Sequence, residues 1–249
     1  MQDPKISIIT VSYNSAKTIQ RCIESVIEQK YTNIEYIIID GGSTDATLQI
    51  IDQYKNHISF FTSEPDKGVY DAMNKGIKAA TGDIVGTLNS DDVFADANIL
   101  TAIAETFKKN NSAIVYGNLN YIHPNGKVIR KWKSGMYKPG AFNWGWMPPH
   151  PAFYCRKELF ERLGLYDIKF GTAGDYELMV RFMHKNKVIP HYLDKTIVNM
   201  NIGGLSNVSY TNRVNAWGFD FMAMRKNGVL FPLVAIIFKP LRKIIQYIT

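Results

Sequence analysis

The sequence predicts an α/β protein: a mostly parallel sheet flanked by helices, with functional residues at one sheet edge and a helical tail at the C-terminus. Three observations predict it. Apolar runs of strand length stand at residues 6–11, 35–40 and 84–88, and runs apolar throughout belong to strands covered on both faces. Between the first two, Ile19, Cys22, Ile23, Val26 and Ile27 recur at helical spacing and form one apolar face. The second run ends in Asp40, and the third is followed by Asn89-Ser90-Asp91-Asp92. Right-handed crossovers bring these carboxylates to one edge of a parallel sheet, the edge where open α/β folds bind ligands.

Each element follows in order. After the first strand the turn is Ser12-Tyr13-Asn14-Ser15; it lacks the glycines that a dinucleotide fold needs there, which sets that class aside. After the second strand, Gly41-Gly42-Ser43-Thr44-Asp45 leads into a helix with Leu48, Ile51 and Tyr54 on its apolar face and Ser43 or Thr44 as its N-cap. The pair Asp91-Asp92 suits a divalent cation, since Mg²⁺ and Mn²⁺ take hard oxygen ligands, usually one or two carboxylates plus substrate phosphates. Capping of a helix near residues 97–107 is the alternative. Residues 113–117 read as a strand, and 120–123 with 127–133 as a hairpin about Asn125-Gly126. A run of Trp132, Tyr137, Phe142, Trp144 and Trp146 follows, whose rings either stack on sugars or cover the sheet. His150 and Trp146 are acceptor-site or metal-proximal candidates, a packed structural role being the alternative for each. Asp175 stands before a helix with buried positions Leu178, Met179, Phe182 and Met183, where it reads as an N-cap.

Composition agrees with one large core: 249 residues, 46% hydrophobic, net charge +7. Cys22 and Cys155 read as buried small hydrophobes of a reducing compartment. The first strand begins within a few residues of Met1, leaving no room for a signal peptide. From Phe221 onward there is no Asp or Glu, but Arg225, Lys226, Lys239, Arg242 and Lys243 flank an apolar run at 229–238. The run is about half the ~20 residues needed to span a bilayer. It suits an anionic membrane surface, a homodimer contact or packing on the core. Basic residues set within greasy sequence, with no recognition motif, argue against nucleic acid.

The stretches 8–14, 39–45 and Glu64-Pro65-Asp66-Lys67-Gly68-Val69-Tyr70-Asp71-Ala72-Met73-Asn74-Lys75-Gly76, followed by 89–92, resemble the family 2 glycosyltransferases, in particular the branch that builds bacterial surface polysaccharides. The resemblance is firm over about 5–95 and looser to about 205. It implies a GT-A (Rossmann-like) fold, with residues 1–110 binding a nucleoside-diphosphate sugar, 111–220 the acceptor, and 221–249 forming the tail. It implies that Thr10, Ser12 and Asp40 hold the nucleotide, Asp40 by accepting from a base N–H, which favours UDP- or GDP-type donors. Gly68, Ala72 and Asn74 lie beside the donor, Asp91 contacts ribose or metal, Asp92 ligates Mg²⁺ or Mn²⁺, and Asp175 is the base. Met73, Asn89 and Gly174 stand where many members carry a basic residue, a carboxylate and a Glu. The function implied is inverting, metal-dependent transfer of a hexosyl-type sugar to a hydroxyl of a lipid-linked glycan. The location it implies is cytoplasmic, peripheral on the inner face of the cell membrane. A nucleotidyltransferase or a non-catalytic sugar-nucleotide or glycan-binding protein is the alternative.

Overall fold

A computed structural model describes residues 3–123, 125–201 and 210–245, without the side chains of 210–215 and 243–245. Along the chain come β1 (Ile6–Ser12), α1 (Ile19–Ile27), β2 (Ile34–Asp40), α2 (Thr47–Gln53), β3 (Phe60–Ser63), α3 (Val69–Ala79), β4 (Ile84–Asn89), β5 (Asp92–Phe94), α4 (Ile99–Asn110), β6 (Ile114–Ile122), β7 (Val128–Trp132), β8 (Phe153–Arg156), α5 (Lys157–Leu163), α6 (Gly174–Met179), β9 (His191–Asn201), α7 (Tyr210–Lys226) and α8 (Pro232–Ile245). A π turn, Val180–Lys185, continues α6.

Among the described residues the strands form one sheet in the order β3-β2-β1-β4-β8-β6-β9-β5, with β7 on β6. β3, β2, β1 and β4 are parallel, whereas β8 runs antiparallel to both β4 and β6. Register sets Ser12 opposite Asp40, Asp40 opposite Ser63 and Val11 opposite Asn89, so the motif residues share the carboxyl edge.

The strand period of two sorts the apolar runs onto two faces. Ile9, Val11, Ile37, Ile39 and Val85 meet α3, α5 and α6. Ile6, Ile8, Tyr36, Ile38, Ile84 and Leu88 meet α1, α2 and α4. A one-residue slip would exchange these two sets. Cys22 and Cys155 are free and buried. Met73, 2% exposed, belongs to the core beneath α3, where a cation would be costly.

Three local expectations change. The hairpin of 120–123 with 127–133 is present as β6 paired antiparallel with β7, but its first arm and the strand expected at 113–117 are one strand through Gly117; a Cβ at Gly117 would lie 2.6 Å from Ile197 Cδ1, so the glycine admits the neighbouring strand's side chain. α2 starts at Thr47 behind Ala46 rather than behind Ser43 or Thr44, because Ser43 is spent on Asp40. α4 starts behind Asn98 with no side-chain cap, so neither Asp91 nor Asp92 caps it.

The tail is docked on the core. α7 runs across position 220, and Ala223, Met224, Val229 and Ala235 are buried in the core cluster. α8 comes so close to the 140–146 loop that a Cβ on Gly145, at φ +70°, would sit 2.5 Å from Lys239 N. Lys239 Nζ lies 2.7 Å from both Asp220 oxygens and 3.9 Å from the Tyr176 ring centroid. It is therefore taken up inside the protein rather than offered to a lipid headgroup. Arg242 Nε donates to Trp144 O; the Lys243 side chain and residues 246–249 lie outside the described residues. The other side of α8 exposes Leu233 (69%), Ile237 (62%) and Leu241, with Leu230, Phe231, Phe238 and Trp144 beside them.

Candidate active site

The rim of the crevice is built from the first two loops. Asn14, at φ 47°, accepts from Thr44 N and donates its own N–H to Ser43 Oγ. Ser15 N donates to Thr47 Oγ1, and Ser15 Oγ meets Ser90 Oγ at 2.8 Å, which ties the β1 loop to the β4 loop. Below them Asp40 accepts from Ser12 Oγ and Ser43 Oγ on one oxygen, and from Gly42 N, Ser43 N and Ser63 Oγ on the other. Burial alone would raise its carboxyl. The Ser43 hydroxyl and N–H, with the Ser63 and Ser12 hydroxyls, outweigh that and hold it below the ordinary carboxylate range. Asp40 is buried, and in this arrangement it fixes the turn. Thr10 lies deeper, accepting from Tyr36 OH beside the Cys22 thiol. Beside Gly41 stand Tyr13, which is exposed, and Asp66, which is half-buried, neither of them singled out from the sequence; Asp66 Oδ2 occupies the space where a side chain on Gly41 would go.

The two adjacent carboxylates separate in role. Asp91 is half-buried at the crevice, and burial raises its carboxyl. Asp92, fully buried at the start of β5, is raised well above the usual range by burial and then by Asp91. Asn89 Nδ2 donates to Asp92 Oδ2 at 3.1 Å, which accounts for an amide where a third carboxylate would add repulsion. Asp92 Oδ1 has no partner among the described residues, and the same holds for Asn201 Oδ1. The Asn201 amide N–H donates to Asp91 O, which ties the end of β9 to this turn. An orphaned buried carboxylate oxygen beside a second carboxylate fits a divalent cation. No group of three or more His, Cys, Asp or Glu gathers for a metal among the described residues, so phosphate oxygens would complete such a set.

Asp175 lies in the first turn of α6, not at its N-cap, which is Ala173. Its Oδ1 accepts from Tyr176 N at 2.7 Å and from Tyr70 OH at 3.1 Å; among the described residues Oδ2 accepts no hydrogen bond. Tyr70 stands in the first turn of α3, which follows Gly68, whose φ of +103° only glycine adopts freely. Asn74 donates to Tyr166 O and accepts from Tyr166 N, both at 2.9 Å, so its amide is engaged in holding the 166 turn. Ala72 is buried in the core beside it. Tyr166 stacks on Tyr70 and meets His150 Nε2 at 2.7 Å. Burial lowers the His150 imidazole despite the nearby Asp175 charge. Trp146 is buried among Tyr116, Tyr137 and Phe142, its indole N–H donating to Ser134 O; the exposed tryptophan of this region is Trp144. Glu177, one step past Tyr176, is wholly buried against Arg181, Lys226 and Asn227. A cavity of about 970 Å³ lined by Lys30, Tyr31, Asn33, Glu105 and His191 lies at the amino ends of the strands, away from all these groups.

The model of Glycosyl transferase family 2 matches residues 7–164, more than half of the chain. The chain belongs to that family. It is a glycosyltransferase with a mixed α/β GT-A fold. It is 29% identical over 212 residues to a PGL/p-HBAD biosynthesis glycosyltransferase of Mycobacterium bovis, covering 83% of this chain and 81% of that one. Its fold is similar to S. aureus TarS 1-349 in complex with UDP-GlcNAc, at TM-score 0.71 and 20% identity, over 89% of this chain and 66% of that one. It is also similar to the mannosyltransferase PcManGT from Pyrobaculum calidifontis in complex with GDP-Man and Mn²⁺. That match has TM-score 0.69 and 16% identity, over 96% of this chain and 73% of that one.

Proposed function

We propose that this glycosyltransferase moves a hexosyl-type sugar from a UDP- or GDP-linked donor to a hydroxyl of a lipid-linked glycan, with inversion, in surface polysaccharide assembly. The observation that carries the reading is the bond from Tyr70, at the donor-side loop, to Asp175 on the acceptor side. It fixes one oxygen of a carboxylate whose other oxygen accepts no hydrogen bond among the described residues, as a base for a hydroxyl requires. Residues 1–110 would take the donor, through the Thr10, Ser12 and Asp40 floor and the Gly68 loop, and 111–220 the acceptor. Asp175 Oδ2 accepts the hydroxyl proton as the acceptor's hydroxyl oxygen attacks the anomeric carbon and the nucleoside diphosphate departs on the far side. Asp91 and Asp92 are the residues that would hold Mg²⁺ or Mn²⁺, which when bound neutralises charge on the diphosphate. The named donors of the structural neighbours, UDP-GlcNAc and GDP-Man, support this donor class. The biosynthetic role of the mycobacterial relative supports a glycoconjugate acceptor.

Calorimetry with UDP and with GDP, with and without Mn²⁺, tests the reading. One nucleotide is expected to bind at least about tenfold more tightly with the metal, and Asp91→Ala and Asp92→Ala each to abolish that difference. Equal affinity with and without metal in the intact protein would remove the cation from the reading. Absence of transfer from both donor types would remove the donor assignment.

The exposed side of α8 is proposed to rest on anionic membrane at the cytoplasmic face. No helix among the described residues is long and apolar enough to cross a membrane. An exposed stripe of Leu, Ile and Phe, with no acidic residue from Phe221 onward, suits the headgroup boundary. Leu233→Ser and Ile237→Ser are each expected to weaken co-sedimentation with phosphatidylserine vesicles by roughly ten- to a hundredfold, from ~1.5–3 kcal/mol of lost apolar burial per side chain. The melting temperature should not move, because both residues are exposed. Lys239→Gln should destabilise the fold through Asp220. A concentration-dependent dimer with no vesicle binding would assign the stripe to a second copy.

A further inference from the structure

We propose that Tyr70 is the positioning residue of Asp175, and that position 174 is glycine because the Tyr70 ring occupies the space a side chain would fill there. This rests on the reading of Asp175 as the base. Two independent observations meet. The Tyr70 hydroxyl lies 3.1 Å from Asp175 Oδ1, across 105 residues of sequence. A Cβ built on Gly174 would come within 2.7 Å of Tyr70 Cδ2, 2.8 Å of Cε2 and 3.1 Å of Cγ, closer than carbon atoms approach without something shifting. Gly174 has ordinary helical backbone rather than a positive φ, so conformational freedom is not what the position needs. It needs absence of volume.

The ring is fixed before the hydroxyl is aimed. It stacks on Tyr166 with centroids 5.3 Å apart and planes 24° apart, and Asn74 clamps Tyr166 by its backbone N–H and carbonyl. Asn74 and Tyr70 both stand on α3, so one helix carries the stack and the residue that steadies it. The hydroxyl has one proton and two acceptors in reach, Asp175 Oδ1 and, at 3.3 Å, Thr172 O. The carboxylate oxygen is the stronger acceptor. With Oδ1 held by this O–H and by Tyr176 N, the carboxylate cannot rotate, and Oδ2 keeps one direction. α3 begins directly after the Gly68 loop, so the same helix start serves the donor side and orients the base on the acceptor side. The departure from Glu at 174 thus has a partner in Tyr70.

Tyr70→Phe tests this, because it keeps the stack and the packing on Gly174 and removes only the hydroxyl. With whichever of UDP-GlcNAc or GDP-mannose the wild type turns over, kcat should fall roughly ten- to a hundredfold, the scale of a misplaced catalytic group. Donor KM should stay within about twofold and the melting temperature should be unchanged. Gly174→Ala should show the same split, since it displaces the ring. The double variant should be no slower than the slower single one, because both act through one contact. Multiplying losses would overturn the proposal. So would a crystal structure of Tyr70→Phe in which the Asp175 carboxylate keeps its position; that readout needs no turnover. If Asp175→Asn retains more than about a tenth of the wild-type transfer, the base assignment fails, while the crystal structure still decides whether Tyr70 orients the carboxylate.

Discussion

Replacing Asp175 with Asn is expected to lower sugar transfer by roughly 10²–10⁴, the usual contribution of a positioned general base. The melting temperature and the affinity for nucleoside diphosphate should stay at wild-type values. The substitution is nearly isosteric, and an amide oxygen can still accept from Tyr176 N and Tyr70 OH, the two donors on Oδ1. What is lost is the second oxygen, which the amide replaces with a group that cannot take a proton. Because the helix N-cap is Ala173 and not Asp175, Asp175→Ala should lose the same activity and only about 0.3–1 kcal/mol of stability, the worth of a carboxylate in the first turn of a helix. Single-turnover assays alongside thermal melts separate the two effects. Retention of more than about a tenth of the wild-type rate would move the base elsewhere. His150 is then the group to test, because Glu177 is sealed in the interior and cannot meet an acceptor.

The strands and the crevice edge were legible in the sequence because their signals are local. Strands covered on both faces read as unbroken apolar runs, and Asp40 and Asp91-Asp92 announce themselves by closing such runs. Residues that work through distant partners were not legible. Asn74 sits inside a recognisable motif, yet its amide serves Tyr166, 92 residues away. Tyr70 lies in the same motif and meets Asp175 over a still longer separation. Lys239 reads as one more cation of a basic tail until Asp220 and the Tyr176 ring are seen around it. The insertion of β8 between β4 and β6 also leaves no local trace, since antiparallel pairing of distant segments depends on side-chain fit, as where Tyr154 fills the space over Gly86. Glycines gave mixed signals for the same reason: Gly68 is required by its own backbone angle, whereas Gly117 and Gly174 are required by a neighbour's bulk.

Glu177→Ala is expected to cost about 3–5 kcal/mol of folding stability, the effect of removing one partner from a buried ion pair. Glu177 is 0% exposed, and its oxygens accept from Arg181 Nε and Nη2, Asn227 Nδ2 and Lys226 Nζ. Arg181 has little solvent to fall back on. Its guanidinium also donates to the carbonyls of Leu163, Gly164 and Leu165, so it stitches the turn that carries Tyr166 to the π turn after α6. Without Glu177 the guanidinium charge stays buried with carbonyl dipoles alone to balance it, and the turn beneath the Tyr70–Tyr166 stack loosens. At about 2–4 °C per kcal/mol for a chain of 150–250 residues, the melting temperature should drop by roughly 6–20 °C. Urea unfolding should show a lower midpoint at an unchanged slope. Glu177→Gln should fall between the two, since it keeps an acceptor for Arg181 and loses only the charge. A loss under about 1 kcal/mol for Glu177→Ala would mean that water reaches Arg181 freely, as at an exposed pair, and that the turn under the candidate base is held by packing rather than by this cluster.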